Sequence, residues 1–346
     1  MAVDRVLLAA PRGFCAGVEM AIKALSWMVR IFEGPVYCYH EIVHNRVVVD
    51  RFRAMGVIFV DDIADVPVGA PLMLSAHGTA PDVVAQARAR GDVVIDAVCP
   101  LVTKVHHELK VRAAKGYTVL YVGHEGHDEA VGTMAVAPQS VRLVEHPEDV
   151  TALDLADDAP VALLAQTTLS QHDWRGVLDA ARERYPALWM PGRSDLCFAT
   201  TNRQDALSTI APRVDSVVVI GSANSSNTVA LAKMARSAGC ARVVRVNGID
   251  EVPDDLSGVV GVTAGASAPE DLVQDVIARL APIEGVEIVD VTTEDEYFPP
   301  PAELRHLLRG IVAALSVTLG SAVDAGPMLG DDRDVAASTV LAGMHR

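Results

Sequence analysis

Short apolar runs alternate along this chain with longer stretches in which apolar residues recur every three or four positions. The runs RVLLAA, VVIDAVC and SVVVIG are each followed by such a stretch, for example AGVEMAIKALSWMVRIF after the first. This alternation predicts βαβ units whose strands pair in parallel. The runs VLLAA, PLMLSA, TVLYVG, VALLAQ, SVVVI and GVVGVTA are apolar throughout. That pattern is typical of central parallel strands buried on both faces.

An internal repeat is marked by three cysteines, each followed by two polar loops. The first polar position comes 28 or 29 residues after the cysteine, and the three sets are Cys15, His44 and His77; Cys99, His127 and Thr167; and Cys197, Ser225 and Ser267. Polar loops after strands are common in α/β proteins, but this alone does not explain matched offsets in three segments. We therefore predict three similar α/β domains with mostly parallel sheets around a common centre.

The repeat also sets the expected domain boundaries. The predicted segments are a first domain at 14–97, a second at 98–195, a third at 196–292 that is joined by the N-terminal strand 1–13, and a C-terminal tail at 293–346. The tail begins near FPPPAE, where the composition shifts, and the sequence assigns no role to the part after about residue 302.

Charge and composition exclude several classes of protein. The chain has 29 basic and 45 acidic residues, a net charge of −16, which argues against coating nucleic acid or an anionic membrane. The segment GIVAALSVTLGSAV at 310–323 falls short of the roughly 18 to 20 apolar residues of a membrane span, so we predict a packed helix or a mobile tail. No secretory leader is evident. We expect a cytoplasmic protein whose anionic ligands are held by local donors.

The five cysteines are too few and too scattered for a disulfide scaffold, which indicates a reducing compartment. Cys15, Cys99 and Cys197 each follow a predicted strand and open a predicted helix, a position that lowers a thiol pKa. Three converging thiolates suit an iron–sulfur cluster and, less readily, zinc. Three ligands would leave one iron of a four-iron cluster open. Cys38 and Cys240 lie in a predicted strand and at a predicted helix end, where we expect structural roles.

A second group consists of neutral donors on Gly-rich or Ser-rich loops. They are His44, His77, His127, Ser225, Ser226, Asn227 and Ser267. Hydroxyls, an amide and imidazoles, together with helix N-termini, can surround a diphosphate without a lysine cluster. Zinc bound by the three histidines is a weaker alternative, because they are far apart in the chain.

Glu129 is expected in the first turn of a helix, two residues after His127. Acidic residues commonly stabilise helix N-termini there. In a pocket lined by the three thiols, the same carboxyl could donate a proton, with Thr167 as its hydroxyl partner.

Nine motifs follow one another in a fixed order between about residue 5 and about residue 300. They are PRGFCAGVEMAI, HEIVHN, SAHGTAP, DAVCPLVTKVH, GHEGHDE, QTTLSQ, CFATTNRQ, GSANSSN and GVTAGASAPEDLV. In this order they resemble the 4-hydroxy-3-methylbut-2-enyl diphosphate reductases, which catalyse the last step of the methylerythritol phosphate route to isoprenoids. The resemblance implies a pseudo-threefold cloverleaf of α/β domains around one [4Fe–4S] cluster per subunit, with one open iron site. It implies reductive dehydroxylation of the allylic diphosphate to isopentenyl and dimethylallyl diphosphates, with two electrons and two protons.

The resemblance also implies a role for each matching residue. The cluster ligands would be Cys15, Cys99 and Cys197, and the catalytic residues would be Glu129, Thr167 and His127. The substrate would be bound by His44, His77, His127, Thr167, Ser225, Ser226, Asn227 and Ser267. A ferredoxin or flavodoxin is the implied electron donor. In GHDEAVGT this chain departs from the family pattern, with Asp128 in place of Pro and Val131 in place of an acidic residue.

Two rival functions remain open from the sequence. One is an iron–sulfur sensor that binds an anionic metabolite without converting it. The other is a zinc hydrolase that uses the histidines. Metal analysis separates the hydrolase from the other two, and a turnover assay separates the sensor from the reductase.

Overall fold

The computed structural model describes residues 2–90, 93–156, 158–320 and 332–344 of the 346-residue chain. After strand β1 (Val3–Ala10), the first unit contains α1 (Ala16–Ile31), β2 (Tyr37–Tyr39), α2 (Arg46–Ala54), β3 (Ile58–Val60), β4 (Leu72–Leu74), α3 (Pro81–Arg90) and β5 (Val94–Asp96). Its sheet has the order β3-β2-β4-β5, with all neighbours parallel. Cys38 on β2 is buried in the core beneath α1, as its predicted structural role requires.

The second unit has a three-stranded parallel sheet. Its elements are α4 (Pro100–Ala114), β6 (Thr118–Val122), α5 (Asp128–Met134), β7 (Val141–Val144), α6 (Pro147–Ala152), β8 (Val161–Ala165) and α7 (Gln171–Arg184). Strand β8 is fully buried, as its apolar sequence predicts, but it is an edge strand in the order β7-β6-β8. Its outer edge is covered by a bridge between Ala162 and Trp189, which explains how an edge can be so apolar.

The third unit contains a five-stranded parallel sheet in which β1 is an inner strand. Its elements are α8 (Phe198–Ile210), β9 (Ser216–Ile220), α9 (Ser226–Ser237), β10 (Arg242–Val246), β11 (Gly258–Ala264), α10 (Glu270–Leu280) and β12 (Val286–Asp290). The strand order is β10-β9-β11-β1-β12. Along β9, Val217 and Val219 face one core while Val218 and Ile220 face the other, because successive side chains point to opposite faces.

The predicted α/β architecture with parallel sheets is confirmed, and the three sheets give the chain three units. The residue limits of the three domains stay a prediction. One local expectation was wrong: Cys197 opens a helix, but it follows a loop rather than a strand. The preceding PGRSDL sequence contains Pro191, Gly192 and Ser194, which favour turns over an extended strand.

The C-terminal segment packs against the first unit. It contains α11 (Ala302–Leu319) and α12 (Ala337–Ala342). Leu304 and Leu341 are buried in the same core as α1, and the Ala337 backbone N–H donates to Glu19 on α1 at 2.7 Å.

The stretch 310–323 was predicted to be a packed helix or a mobile tail. Residues 310–319 form the second half of α11, where Val317 and Leu319 are largely exposed, so the helix is present but this half is not packed. Residues 321–323 lie outside the described part of the chain. Among the helices that the structure describes, none combines the length and apolar character needed to cross a bilayer.

Candidate active site

One cavity of about 750 Å³, counting its open mouth, lies at the carboxyl ends of strands from all three units. This is where parallel sheets commonly bind ligands. All twelve predicted site residues line it: Cys15, His44, His77, Cys99, His127, Glu129, Thr167, Cys197, Ser225, Ser226, Asn227 and Ser267. The structure therefore brings together every residue that the repeat and the motifs single out, although their individual roles stay predictions.

The three thiols form one end of the cavity, which we call the thiol wall. Cys15, Cys99 and Cys197 are the N-caps of α1, α4 and α8. Gly17 allows their close approach, because a Cβ atom at this position would lie 2.8 Å from Cys99 Sγ and 4.0 Å from Cys15 Sγ. Any larger residue would push into the space between two of the thiols.

The electrostatics of the thiol wall differ from the sequence expectation. Burial raises the pKa of each thiol, to about 12 for Cys197, and the negative charge of Cys15 adds to the rise for Cys99 and Cys197. The backbone N–H groups of Gly17 and Val18 lower the Cys15 pKa, as a helix N-terminus should, but burial outweighs them. A metal that binds these three sulfurs must therefore displace their protons.

Glu129 lies in the first turn of α5 and is 2% exposed. Its Oε1 accepts the Thr167 backbone N–H at 2.7 Å, and its Oε2 accepts the Thr167 hydroxyl at 2.9 Å. Burial raises its pKa to about 7, against the lowering effect of both hydrogen bonds. Glu129 therefore exchanges a proton near neutral pH, the property that a general acid needs.

Three imidazoles form part of a second wall of the cavity. The His44 and His77 rings stack at 3.7 Å, and His127 approaches His44 edge-on at 5.0 Å between centroids. Burial lowers the pKa of His77 well below its ordinary value and that of His127 to about 4, and the neighbouring imidazoles lower both further. These two rings are therefore neutral at pH 7. His127 Nδ1 accepts the Glu129 backbone N–H at 3.1 Å, so its Nε2 carries the proton.

The helix N-terminus of α9 completes that wall. Ser225 is its N-cap, and the Ser225 hydroxyl accepts the Thr228 backbone N–H at 3.4 Å. The Ser226 hydroxyl donates to the Thr168 carbonyl at 3.2 Å, which ties the third unit to the second. Both serines thus shape the cavity, and the free N–H groups of the helix terminus offer donors to an anion.

Asn227 and Ser267 make different contributions to this wall. The Ser267 hydroxyl donates to the His44 carbonyl at 2.9 Å and fixes the loop that carries this imidazole. Asn227 is 2% exposed, and neither its Nδ2 nor its Oδ1 has a hydrogen-bond partner among the described residues. An unpaired buried amide is costly, so Asn227 fits a ligand with polar atoms. We call the imidazoles, the α9 terminus and Asn227 the donor wall.

The sequence reasoning missed several residues that support the site. Thr200 places its hydroxyl 3.0 Å from Cys197 Sγ, and the fully buried Arg203 donates to the Gly13 carbonyl at 2.7 Å and pairs with Glu294 at 2.8 Å. Thr200 and Arg203 follow Cys197 by three and six positions, which is one face of α8. That helical spacing was the signal available in CFATTNRQ.

The two departures in GHDEAVGT differ in their surroundings. Val131 is 53% exposed and does not line the cavity. Asp128 lies beside the imidazoles, and its Oδ1 accepts from His40 Nδ1 at 3.0 Å. Burial opposes ionisation of Asp128, but His40 and the other imidazoles hold its pKa below the ordinary value.

The fold and the site define a class: three-unit parallel α/β proteins in which each unit contributes one helix-capping thiol to a shared cavity. The protein-family model described as LytB protein matches residues 6–281, and the chain belongs to this family.

Named relatives and a solved structure agree with this assignment. The chain is 45% identical to the 4-hydroxy-3-methylbut-2-enyl diphosphate reductase of Beijerinckia indica over 87% of this chain and 97% of the relative. It is 46% identical to the 4-hydroxy-3-methylbut-2-enyl diphosphate reductase of Streptomyces avermitilis over 90% of this chain and 94% of the relative. The structure of the E-1-hydroxy-2-methyl-but-2-enyl-4-diphosphate reductase from Plasmodium falciparum superposes with a TM-score of 0.85 at 30% identity, over 89% of this chain and 99% of that one.

Proposed function

We propose that this chain is an enzyme that reduces (E)-4-hydroxy-3-methylbut-2-enyl diphosphate to isopentenyl and dimethylallyl diphosphates. The names of the relatives support a reductase of this class. The observation that carries the proposal is that one cavity combines three thiols, buried polar groups without partners among the described residues, and a carboxyl of pKa about 7.

Cys15, Cys99 and Cys197 would hold a [4Fe–4S] cluster with one iron free of protein ligands. The residues fit this group because they are three soft donors in a buried space kept open by Gly17. Burial raises their pKa values, so cluster binding would have to displace three protons. When bound, such a cluster supplies electrons one at a time and a Lewis-acidic iron.

The diphosphate would bind at the donor wall. Asn227 Nδ2, the N–H groups at the start of α9 and the N–H of His127 Nε2 provide donors to phosphate oxygens without a lysine. Ser225, Ser226 and Ser267 would hold these groups in place and can reorient their hydroxyls toward the ligand. This arrangement directs the allylic hydroxyl toward Glu129 and the thiol wall.

Glu129 would deliver the proton that leaves with the hydroxyl. The C–O bond breaks as two electrons enter the allyl unit, the oxygen takes one proton and departs as water, and a second proton forms the new C–H bond. The Thr167 hydroxyl holds the Glu129 carboxyl in place and can pass a proton to the substrate oxygen, with His127 close enough to assist. The electrons would come from a small ferredoxin or flavodoxin.

The test is an anaerobic assay of the iron- and sulfide-reconstituted protein with the allylic diphosphate and a chemical reductant. We expect both products to form. The Glu125→Gln chain is the control and should form them at the same rate, because Glu125 is an exposed acid on the loop before α5. A reconstituted, reducible protein that binds the diphosphate without forming product would contradict the proposal and indicate a sensor. Zinc without sulfide in the isolated protein would favour a hydrolase instead.

A further inference from the structure

An ion pair outside the main cavity joins the first unit to the second. His40, in the loop after β2, donates its Nδ1–H to Asp128 Oδ1 at 3.0 Å, and Asp128 is the first residue of α5. Neither residue lines the main cavity. Asp128 directly follows His127 and directly precedes Glu129. A contact that holds Asp128 therefore also holds the two neighbours to which the proposed reaction gives proton-transfer roles.

His40 is itself held in an uncommon backbone conformation. Its φ is +57°, in the left-handed region that a residue with a Cβ atom seldom adopts. Its backbone N–H donates to the Val60 carbonyl at 2.8 Å, and its ring stacks on Tyr39 at 4.1 Å between centroids. A conformation of this kind persists only where the surrounding contacts fix it. His40 is therefore a firm anchor for Asp128.

One face of α5 contacts the first unit at two points. Asp128 and Gly132 are four residues apart, so they lie on the same face of the helix. A Cβ atom at Gly132 would lie 2.6 Å from the Gly78 carbonyl oxygen, so the helix and the Gly78 loop meet without room for a side chain. The second point is thus fixed by close packing, and the first by the hydrogen bond from His40.

The surrounding charges favour the ionised form of both partners. The titratable groups that face the pair are Asp61, Tyr39, His44, His77 and His127. The hydrogen bond to Asp128 raises the pKa of His40 by more than burial lowers it. Burial favours neutral Asp128, but the imidazoles hold its pKa below the ordinary value. The ionic contribution is therefore complete below the ordinary histidine pKa and is lost as the pH rises through the raised one.

We propose that His40 and Asp128 are positioning residues, which fix the first turn of α5 against the first unit and thereby hold the Glu129 carboxyl and the His127 ring in place. The effect on turnover rests on the proposed function, whereas the anchoring itself does not require the reaction.

The test uses the iron- and sulfide-reconstituted full-length protein and three variants of the pair. Asp128→Asn removes the charge and keeps the shape, and His40→Asn removes the imidazole with a residue that tolerates the left-handed conformation. Asp128→Pro is the rescue variant, because a proline at the first helical position fixes the backbone without a charge. Arg46→Gln is the matched control, since Arg46 pairs with Glu251 at 3.2 Å between the first and third units, away from α5.

The anchoring is measured by hydrogen exchange of peptides covering residues 127–134 and by the NMR titration of His40. In Asp128→Asn and His40→Asn, we expect exchange about 2- to 5-fold faster than in the wild type, as for the loss of a weak ion pair. In Asp128→Asn, the pKa of His40 should fall. Anaerobic turnover should show kcat lower by about 3- to 10-fold in both chains, with little change in KM, because the reacting groups are less well placed.

The rescue variant separates positioning from charge. In Asp128→Pro, exchange and kcat should return to the wild-type values while the pKa of His40 stays low. Exchange in Asp128→Asn and His40→Asn equal to that of the Arg46→Gln control would overturn the proposal, and so would an Asp128→Pro chain as impaired as Asp128→Asn. A wild-type protein that forms no product would contradict the proposed function alone, because exchange and the His40 titration still decide whether the pair anchors α5.

Discussion

The two walls of the cavity differ in how closely their groups are packed and in whether their polar atoms have hydrogen-bond partners. On the thiol wall, Cys15, Cys99 and Cys197 cap helices, and Gly17 leaves only enough room for the sulfurs. On the donor wall, polar atoms of Asn227 and of the stacked histidines are buried without partners among the described residues. Under the proposed function, the first wall would hold a permanent ligand of fixed shape, and the second would bind a ligand that exchanges.

Glu129 lines the same cavity as the two walls, and its removal tests whether they act together. Glu129→Gln keeps the shape of the side chain and can retain the contacts to Thr167, but it cannot lose a proton. We expect turnover to fall by about 10² to 10⁴-fold, the usual contribution of a general acid, with iron content unchanged. Anaerobic product formation under saturating reductant measures the effect. Turnover within a factor of two of that of the Glu125→Gln control would remove Glu129 from the chemistry.

A substitution at Gly17 disturbs the thiol wall without changing the donor wall. In Gly17→Ala the new Cβ would lie 2.8 Å from Cys99 Sγ, so that sulfur must move. We expect at least about 10-fold weaker retention of iron, as for other disturbed metal sites, and normal far-ultraviolet circular dichroism. Iron release to a chelator measures the effect.

Gly34→Ala is the matched control for this change, because a Cβ atom at Gly34 meets no atom within 4 Å. Equal iron retention in the Gly17→Ala and Gly34→Ala chains would show that the thiol wall is not as tightly shaped as the geometry indicates.

The donor wall can be weakened without touching the thiols. Asn227→Ala removes a buried amide, and a hydrogen bond to a charged group contributes about 1.5 to 3 kcal/mol. We expect the KM for the diphosphate substrate to rise by about 10-fold or more, with iron content unchanged. Asn224→Ala, an exposed neighbour outside the main cavity, serves as control. A loss of kcat alone would mean that Asn227 acts on the reaction rather than on binding.

The smallest predicted effect concerns pH. Glu129 donates a proton only in its protonated form, and its pKa of about 7 places that form below neutral pH. Turnover limited by chemistry should therefore decline as the pH rises through about 7. Thr167→Val removes a hydrogen bond that lowers this pKa, so the midpoint should move to higher pH. A midpoint that stays in place in Thr167→Val, measured from pH–rate profiles, would assign the titration to another group.

Much of this site could be predicted from the sequence, because strands and helices follow from local residue patterns. The internal repeat also indicated that the three cysteines occupy equivalent positions in three units. The helix-capping positions of Cys15, Cys99 and Cys197 follow from that regularity. The thiol pKa values could not be predicted in this way, since they depend on burial where three units meet. The helix N-terminus lowers the pKa of the Cys15 thiol, but burial of the same thiol raises it by more.

The position of Asp128 beside His44 and His77 shows the other limit of sequence reasoning. These residues lie in two different units, and no local spacing links them. The sequence suggested zinc bound by His44, His77 and His127, whereas in the structure Asp128 lies beside the first two histidines. His127 is the N-cap of α5 and Asp128 is its first residue, and both lie near His44 in the structure.

The central claim is that three thiols hold an iron–sulfur cluster used for reduction of an allylic diphosphate. The most direct measurement is anaerobic iron and sulfide analysis with electron paramagnetic resonance, on the wild-type and Cys99→Ser chains. We predict about four iron and four sulfide per wild-type chain, a degraded or lost cluster in Cys99→Ser, and product only from the wild type. A wild-type protein without iron or sulfide after anaerobic reconstitution would contradict this account.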